Sequence, residues 1–139
     1  MEDLLRQTLD NAPDAIVISD GDGTILFWNR GAELIFGHSS AEALGSSLDL
    51  IIPENLRARH WEGYRRVMAS GETKYPTGLL TAPGICKDGT RISLEFSMIL
   101  LRDRSGAMAG IASIMRDVTG RWQKERELKQ KLAESLDRR

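Results

Sequence analysis

The hydrophobic pattern of this chain switches between a helical and a strand period, and the switches mark its elements. Leu4, Leu5 and Leu9 recur at helical spacing up to Asn11, and Pro13 blocks continuation, so a short lead-in helix is expected. Ala15-Ile16-Val17-Ile18 and Ile25-Leu26-Phe27-Trp28 are β-rich runs around a turn at Asp20 to Gly23, which predicts a hairpin. The Asp-Gly pairs at Asp22-Gly23 and Asp88-Gly89 are strong hairpin signals, read here as tight turns with both central residues at positive φ. From Asn29 the period becomes helical: Asn29 caps, Ala32, Leu34, Ile35 and Phe36 follow, and Gly37 stops the helix. Ser39 or Ser40 then caps a shorter turn with Ala41 and Leu44, and Leu48 to Ile52 leads into Pro53. The longest internal helix is expected to start at Pro53 or Glu54 and to end near Ser70-Gly71.

Beyond Gly71 the strand period returns. Tyr75 to Cys86 reads as a long strand that Pro76, Gly78, Pro83 and Gly84 bend or confine to an edge. In Arg91 to Leu101, Ile92, Leu94, Phe96, Met98 and Leu100 share one face, with Arg91, Ser93, Glu95 and Ser97 on the other, so the first face meets the core. A turn at Asp103 to Gly106 precedes a last strand, Ala109 to Val118, in which Gly110 and Ala112 leave space above the sheet. Five strands with helices inserted between the second and third make an α+β layout.

Composition narrows the function classes. The 139 residues are 41% hydrophobic and 28% charged, enough for one domain with a core and a polar appendage. Nineteen Lys plus Arg against twenty Asp plus Glu give a net charge of -1, so no global field attracts nucleic acid or an anionic membrane. No apolar run is long enough to span a bilayer, and the Met1-Glu2-Asp3 start is acidic where a signal peptide is basic. The single cysteine, Cys86, excludes an internal disulfide and a cysteine-rich zinc site and suits a cytoplasmic setting.

Catalysis finds no support in the pattern. Glu33, Glu42, Glu54, Glu62 and Glu72 are spread over helix faces and loop ends rather than paired in a cleft, and no glycine loop followed by Lys-Ser/Thr cradles a phosphate. A non-enzymatic role is expected. The sharpest chemical candidate is His60: Leu56, His60, Tyr64 and Val67 fall on one helix face whose apolar ends should be buried, which turns the imidazole inward. An inward imidazole costs free energy unless a hydrogen bond or a metal satisfies it, and a core histidine bonded within the protein is the plainer alternative. His38, in a loop, is expected to be a solvated or packing residue.

Taken together, Asp22-Gly23-Thr24-Ile25-Leu26-Phe27-Trp28-Asn29, Ala32-Glu33, Phe36-Gly37, Ile52-Pro53, Gly71-Glu72, Lys87-Asp88-Gly89-Thr90 and Arg116-Asp117-Val118-Thr119 resemble a PAS domain of the S-box type over residues 5 to 120. The resemblance implies a five-stranded antiparallel sheet in the order 2-1-5-4-3, helices over one face and a ligand pocket between. It implies that Asp117 and Thr119 tie the last strand to the outgoing helix and relay a signal, where the bare sequence offers capping. It divides the chain into a lead-in helix (1–13), the PAS domain (14–118) and a signalling helix (119–139).

The Arg57-to-Tyr64 stretch is similar to heme-binding PAS oxygen sensors, in which a proximal histidine stands where His60 does. That likeness implies heme b on His60, with Tyr64, Leu80, Phe96 and Met98 around the cofactor. It also implies a distal arginine at Leu80 or a distal methionine at Gly78, neither of which is present, so carbon monoxide or nitric oxide should be favoured relative to oxygen. Flavin-photochemistry relatives need a cysteine in the helical middle, and none occurs from Asn29 to Gly71. Trp122, Leu128, Leu132 and Leu136 form one apolar stripe that wants a partner, and the resemblance supplies a second copy as a homodimer and an output domain such as a kinase or cyclase beyond this chain. Two function classes stand side by side: a sensor binding a small molecule or heme, and a ligand-free dimerisation module. A sizeable cavity with polar wall groups favours the first.

Overall fold

In the computed structural model, which describes residues 1–74 and 78–137, helix α1 (Glu2–Asn11) precedes strands β1 (Ala15–Asp20) and β2 (Ile25–Trp28). Helices α2 (Arg30–Phe36) and α3 (Ser40–Ala43), 3-10 turns Leu48–Ile51 and Glu54–Leu56, and helix α4 (Arg57–Ser70) fill the middle. Strands β3 (Leu80–Ile85), β4 (Arg91–Arg102) and β5 (Met108–Asp117) then lead into α5 (Thr119–Asp137). The five strands form one antiparallel sheet ordered β2-β1-β5-β4-β3, as expected. Its inner face, with Val17, Trp28, Leu94, Ile111 and Met115, meets Phe36, Leu48, Ile51 and Tyr64 in the core. Among the described residues, no helix is long and apolar enough to cross a membrane.

Asn29 sets the change from sheet to helix. Its side chain is fully buried. Oδ1 accepts from the Ile16 backbone N–H at 2.8 Å and the Ala32 N–H at 3.0 Å, so one oxygen extends the β1 pairing and caps α2. Nδ2 donates to the carbonyls of Leu9 at 2.9 Å and Asp14 at 3.0 Å, which holds the end of α1 against the sheet. Gly37, at φ 83°, ends α2 in the left-handed conformation, and Ser39 with Glu42 forms a reciprocal capping box on α3.

The turns are built differently from the sequence expectation. The β1–β2, β3–β4 and β4–β5 turns share one design: an N–H to O=C bond closes Asp20 to Gly23, Cys86 to Gly89 and Asp103 to Gly106 at 3.0 Å each. In each, only the glycine has positive φ (Gly23, Gly89, Gly106), and no other residue does. These are type I turns followed by a left-handed glycine, so Asp22, Asp88 and Ser105, the residues before those glycines, keep negative φ. Asp20 and Asp103 instead accept backbone N–H groups two and four residues on, which pre-forms the turn.

Other boundaries moved for local reasons. The long internal helix starts at Arg57, because Glu54 to Leu56 tightens into a 3-10 turn after Pro53. Strand β3 is shorter than the expected Tyr75 to Cys86: Gly78 and Leu79 lie outside it, and Tyr75 to Thr77 lie outside the described residues. Pro83 sits on β3 at the sheet edge, where its missing N–H costs no central pairing. Gly110 does not open space above the sheet. A β-carbon there would collide with the Ser19 carbonyl, so glycine is needed for the close approach of β5 to β1.

Replacing Asn29 with Ala orphans several buried backbone groups at once, so Asn29→Ala is expected to lower unfolding stability by about 2–4 kcal/mol. A denaturant titration checks this, and a loss under about 1 kcal/mol would show that the junction does not depend on that side chain.

Candidate functional site

Between the inner face of the sheet and α4 lies a cavity of about 480 Å³. Its floor comes from alternate residues of three strands: Val17 and Ser19 of β1, Leu94, Phe96 and Met98 of β4, and Ile111, Ser113 and Met115 of β5. Leu56, His60 and Tyr64 form the roof, and Leu48, Ile51 and Ile52 close one side. Exposed Arg59, Thr81 and Pro83 also line it and mark its opening between α4 and β3. The helical face inferred from Leu56, His60 and Tyr64 does look down on the cavity, while Val67 packs against the core beyond it.

His60 is half-buried, with its ring edge-on to Trp61 at 4.7 Å and tilted against Tyr64 at 5.7 Å. Its Nδ1 is sealed from solvent and has no hydrogen-bond partner. Nε2 is then the nitrogen left open to a ligand. Burial pushes the His60 pKa below its ordinary value, and the Asp49 charge pulls weakly the other way, so the ring is neutral at pH 7. Tyr64 is the buried residue of α4. Its hydroxyl donates to the Asp20 carbonyl at 2.5 Å and meets Ser19 Oγ at 2.9 Å, and burial raises its pKa further above the working range.

Phe96, Met98, His60 and Tyr64 are thus brought together around one space. Leu80 is not. It pairs with Phe96 at the start of β3 but does not line the cavity. Sequence reasoning missed Ser113, Arg59 and Trp61. Ser113 was readable, since it alternates with Ile111 and Met115 on the inner face. Trp61 was not: its Nε1 donates to Asp49 at 2.7 Å and its ring lies against Gly23, where any β-carbon would strike it.

The cavity is connected to the outgoing helix. The Thr119 hydroxyl donates to Asp117 Oδ1 at 2.5 Å and accepts from the Ser93 N–H at 2.9 Å, while the Val118 N–H donates to the Ser93 carbonyl at 2.9 Å. Arg121 pairs with Glu95 at 2.6 Å. Both partners, Ser93 and Glu95, flank Leu94 of the cavity floor. Away from the site, the Cys86 thiol donates to the Ile35 carbonyl at 3.3 Å and burial raises its pKa, so it is a poor nucleophile. The His38 carbonyl accepts from Trp28 Nε1 at 3.0 Å.

One fit with a prosthetic group can be tested on these atoms. A heme needs an imidazole nitrogen in an apolar cavity, and His60 supplies it. Metal-bound histidines usually donate their other ring N–H to an acceptor, and Nδ1 has none here, so the ring would be less firmly oriented. Among the described residues, no cluster of three or more His, Cys, Asp or Glu could hold a free metal ion.

Comparison with known proteins agrees with the architecture. The chain is 29% identical over 126 residues to the sensor protein FixL of Bradyrhizobium diazoefficiens, covering 91% of this chain and 25% of that protein. It is 28% identical over 88 residues to the oxygen sensor protein DosP of Escherichia coli, covering 63% of this chain and 11% of that one. The chain therefore spans a quarter or less of the length of these two relatives. The PAS domain of a protein from Colwellia psychrerythraea superposes with a TM-score of 0.74 at 22% identity, covering 86% of this chain and 98% of that one, which supports the fold alone. A family model described as PAS fold matches residues 9–123 of the chain, the span that builds the sheet, the cavity and the start of α5, and the protein belongs to that family.

Proposed function

We propose that this PAS domain is a sensory input module that binds a small ligand in its cavity and passes the bound state through Asp117 and Thr119 to α5 and an output domain outside this chain. The observation that carries the reading is the cavity of about 480 Å³, whose floor strands are tied directly to the helix junction. Its volume lies within the roughly 300–1,000 Å³ of small-molecule sites. The fold is therefore suited to hosting water or a ligand, which argues against a ligand-free module with a filled core.

The proposed relay is short. A ligand that displaces Leu94 moves its neighbours Ser93 and Glu95, and with them the three contacts to Val118, Thr119 and Arg121. The chain itself supplies binding, orientation and transmission and no catalysis. Exposed Leu4 and Leu5 on α1 and Leu128, Leu132 and Leu136 on α5 support association of two copies through the helices. The unpaired Cys86 suits work in the cytoplasm.

A second reading is a heme b gas sensor, favoured by the placement of His60 on the cavity wall and by the likeness to DosP, an oxygen sensor by name. When bound, heme supplies an open coordination position for a diatomic gas. In this reading His60 holds the group and Phe96 and Met98 pack against it. The distal side offers no arginine or methionine at Leu80 or Gly78, which favours carbon monoxide or nitric oxide over oxygen.

Three outcomes test these readings. Thr119→Val removes the acceptor for Ser93 and is expected to speed Ser93 amide hydrogen exchange about tenfold, roughly the factor for one lost hydrogen bond; unchanged protection would sever the relay from this residue. Addition of hemin with a Soret band that His60→Ala abolishes is the outcome required by the heme reading, and absence of such a band removes it. Because the folded His60 pKa lies below the unfolded value of about 6.5, the unfolded chain binds more protons as pH drops through that value. Stability should therefore fall below pH ~6.5 until the folded-state pKa is passed, and His60→Phe should flatten that slope in denaturant titrations; an unchanged slope would contradict a neutral buried ring.

A further inference from the structure

We infer that the cavity is built for an amphipathic anion, a molecule with an apolar body on the sheet floor and a carboxylate meeting Arg59 at the opening. This rests on the ligand-binding reading above and specifies its chemistry. Among the described residues, Arg59 is the one charged side chain that lines the cavity, and no aspartate or glutamate lines it. Arg59 is also uncommitted: among the described residues it has no ion-pair or hydrogen-bond partner. On the same helix Arg57 is engaged with the Ile52 carbonyl at 3.1 Å and Asp49 at 3.9 Å, and Arg66 with Glu62 at 3.3 Å, while Arg65, like Arg59 without a partner among the described residues, does not line the cavity. Asp49, the nearest acid acting on His60, is held by Trp61 and Arg57 and does not line the cavity. The one formal charge lining the opening among the described residues is therefore positive, in a chain whose net charge is -1.

The remaining polar groups fit the same ligand. Tyr64 has given its one hydroxyl proton to Asp20, so it is committed to the scaffold. A neutral His60 can donate or accept one hydrogen bond but cannot counter a ligand cation. Phe96, Met98, Leu94 and Ile111 offer only apolar contact to the body. A fatty or aryl carboxylate and a porphyrin carrying carboxylates share this chemistry, and the experiment separates them.

Isothermal titration of the protein with decanoate, decanol and decylamine provides the test, with hemin as a separate arm. Decanoate is expected to bind tightest and decylamine weakest. Arg59→Ala should weaken decanoate about threefold to tenfold, the range for a partly exposed charge-assisted hydrogen bond, and leave decanol unchanged. Arg59 is exposed, so the variant should fold as the parent does. Equal binding of decanoate and decanol, or a decanoate-to-decanol ratio unaltered by Arg59→Ala, overturns the anion inference while leaving the cavity reading standing. Failure of all three chain ligands and of hemin to bind overturns the cavity reading itself. A His60-dependent Soret band whose hemin affinity also falls in Arg59→Ala supports the inference and assigns the porphyrin as the source; decanoate binding without such a band supports it and assigns the fatty or aryl acid.

Discussion

The Tyr64 hydroxyl is the contact on which the cavity depends. Tyr64 is the one fully buried residue of α4 among those described, and Trp61, Val67 and Met68 of the same helix pack against the core in part. Polar contacts at its margins add to that packing: Tyr64 to Asp20, Trp61 to Asp49, Arg57 to the Ile52 carbonyl, and Gly71 accepting from Arg102 at 2.7 Å. The Asp20 carbonyl accepts from both the Gly23 N–H and Tyr64, so closure of the first hairpin turn and attachment of the roof share one acceptor. A helix packed by interdigitating side chains would fill the space beneath it. Standing α4 off the sheet on a tyrosine's length and a polar perimeter keeps that space open.

The same geometry sets the α5 junction beside the cavity floor. Along β4, side chains alternate between the hollow and the far face, so Leu94 points to the ligand space while the backbone of Ser93 and the carboxylate of Glu95 face the α5 junction. In register, Leu94 stands opposite both Ala82 on β3 and Asp117 on β5. Gly84 adds to the constraint, because a β-carbon there would press on the Leu94 side chain at 2.7 Å. Leu94 thus sits against Gly84 on the strand side and faces the cavity on the other.

Much of this was legible in the residues. Alternation in β4, the Asn29 cap, the Gly37 and Gly71 stops and the inward face of Leu56, His60 and Tyr64 all follow from local periodicity and capping chemistry. What was not legible depends on distant backbone. Gly110 looked like a source of space, yet it marks contact with the Ser19 carbonyl, and only the β1–β5 register distinguishes the two. The turn type was misjudged because Asp-Gly serves both tight turns and type I turns with a left-handed glycine, and loop length decides between them. Leu80 came into the expected site only through the likeness to heme-binding PAS sensors, whereas Thr81, Ala82 and Pro83 are the β3 residues that line the cavity. The Trp61 to Gly23 contact joins residues from separate elements with no shared period, so no sequence pattern could announce it.

The composition of the floor bears on how selective such a site can be. Met98 and Met115 are unbranched and adaptable, and beside Ala82 and Ser113 they leave a surface that accommodates several ligand shapes. Shape alone then discriminates weakly, since one methylene more or less in an apolar pocket is worth only about 1–3 kcal/mol. Sharper discrimination has to come from the few polar groups not already bound within the protein. Tyr64 and Ser19 satisfy each other and the sheet, and Asp49 is occupied, which leaves the open nitrogen of His60, the hydroxyls of Ser113 and Thr81 and the guanidinium of Arg59 as the groups that can tell one amphipathic molecule from another.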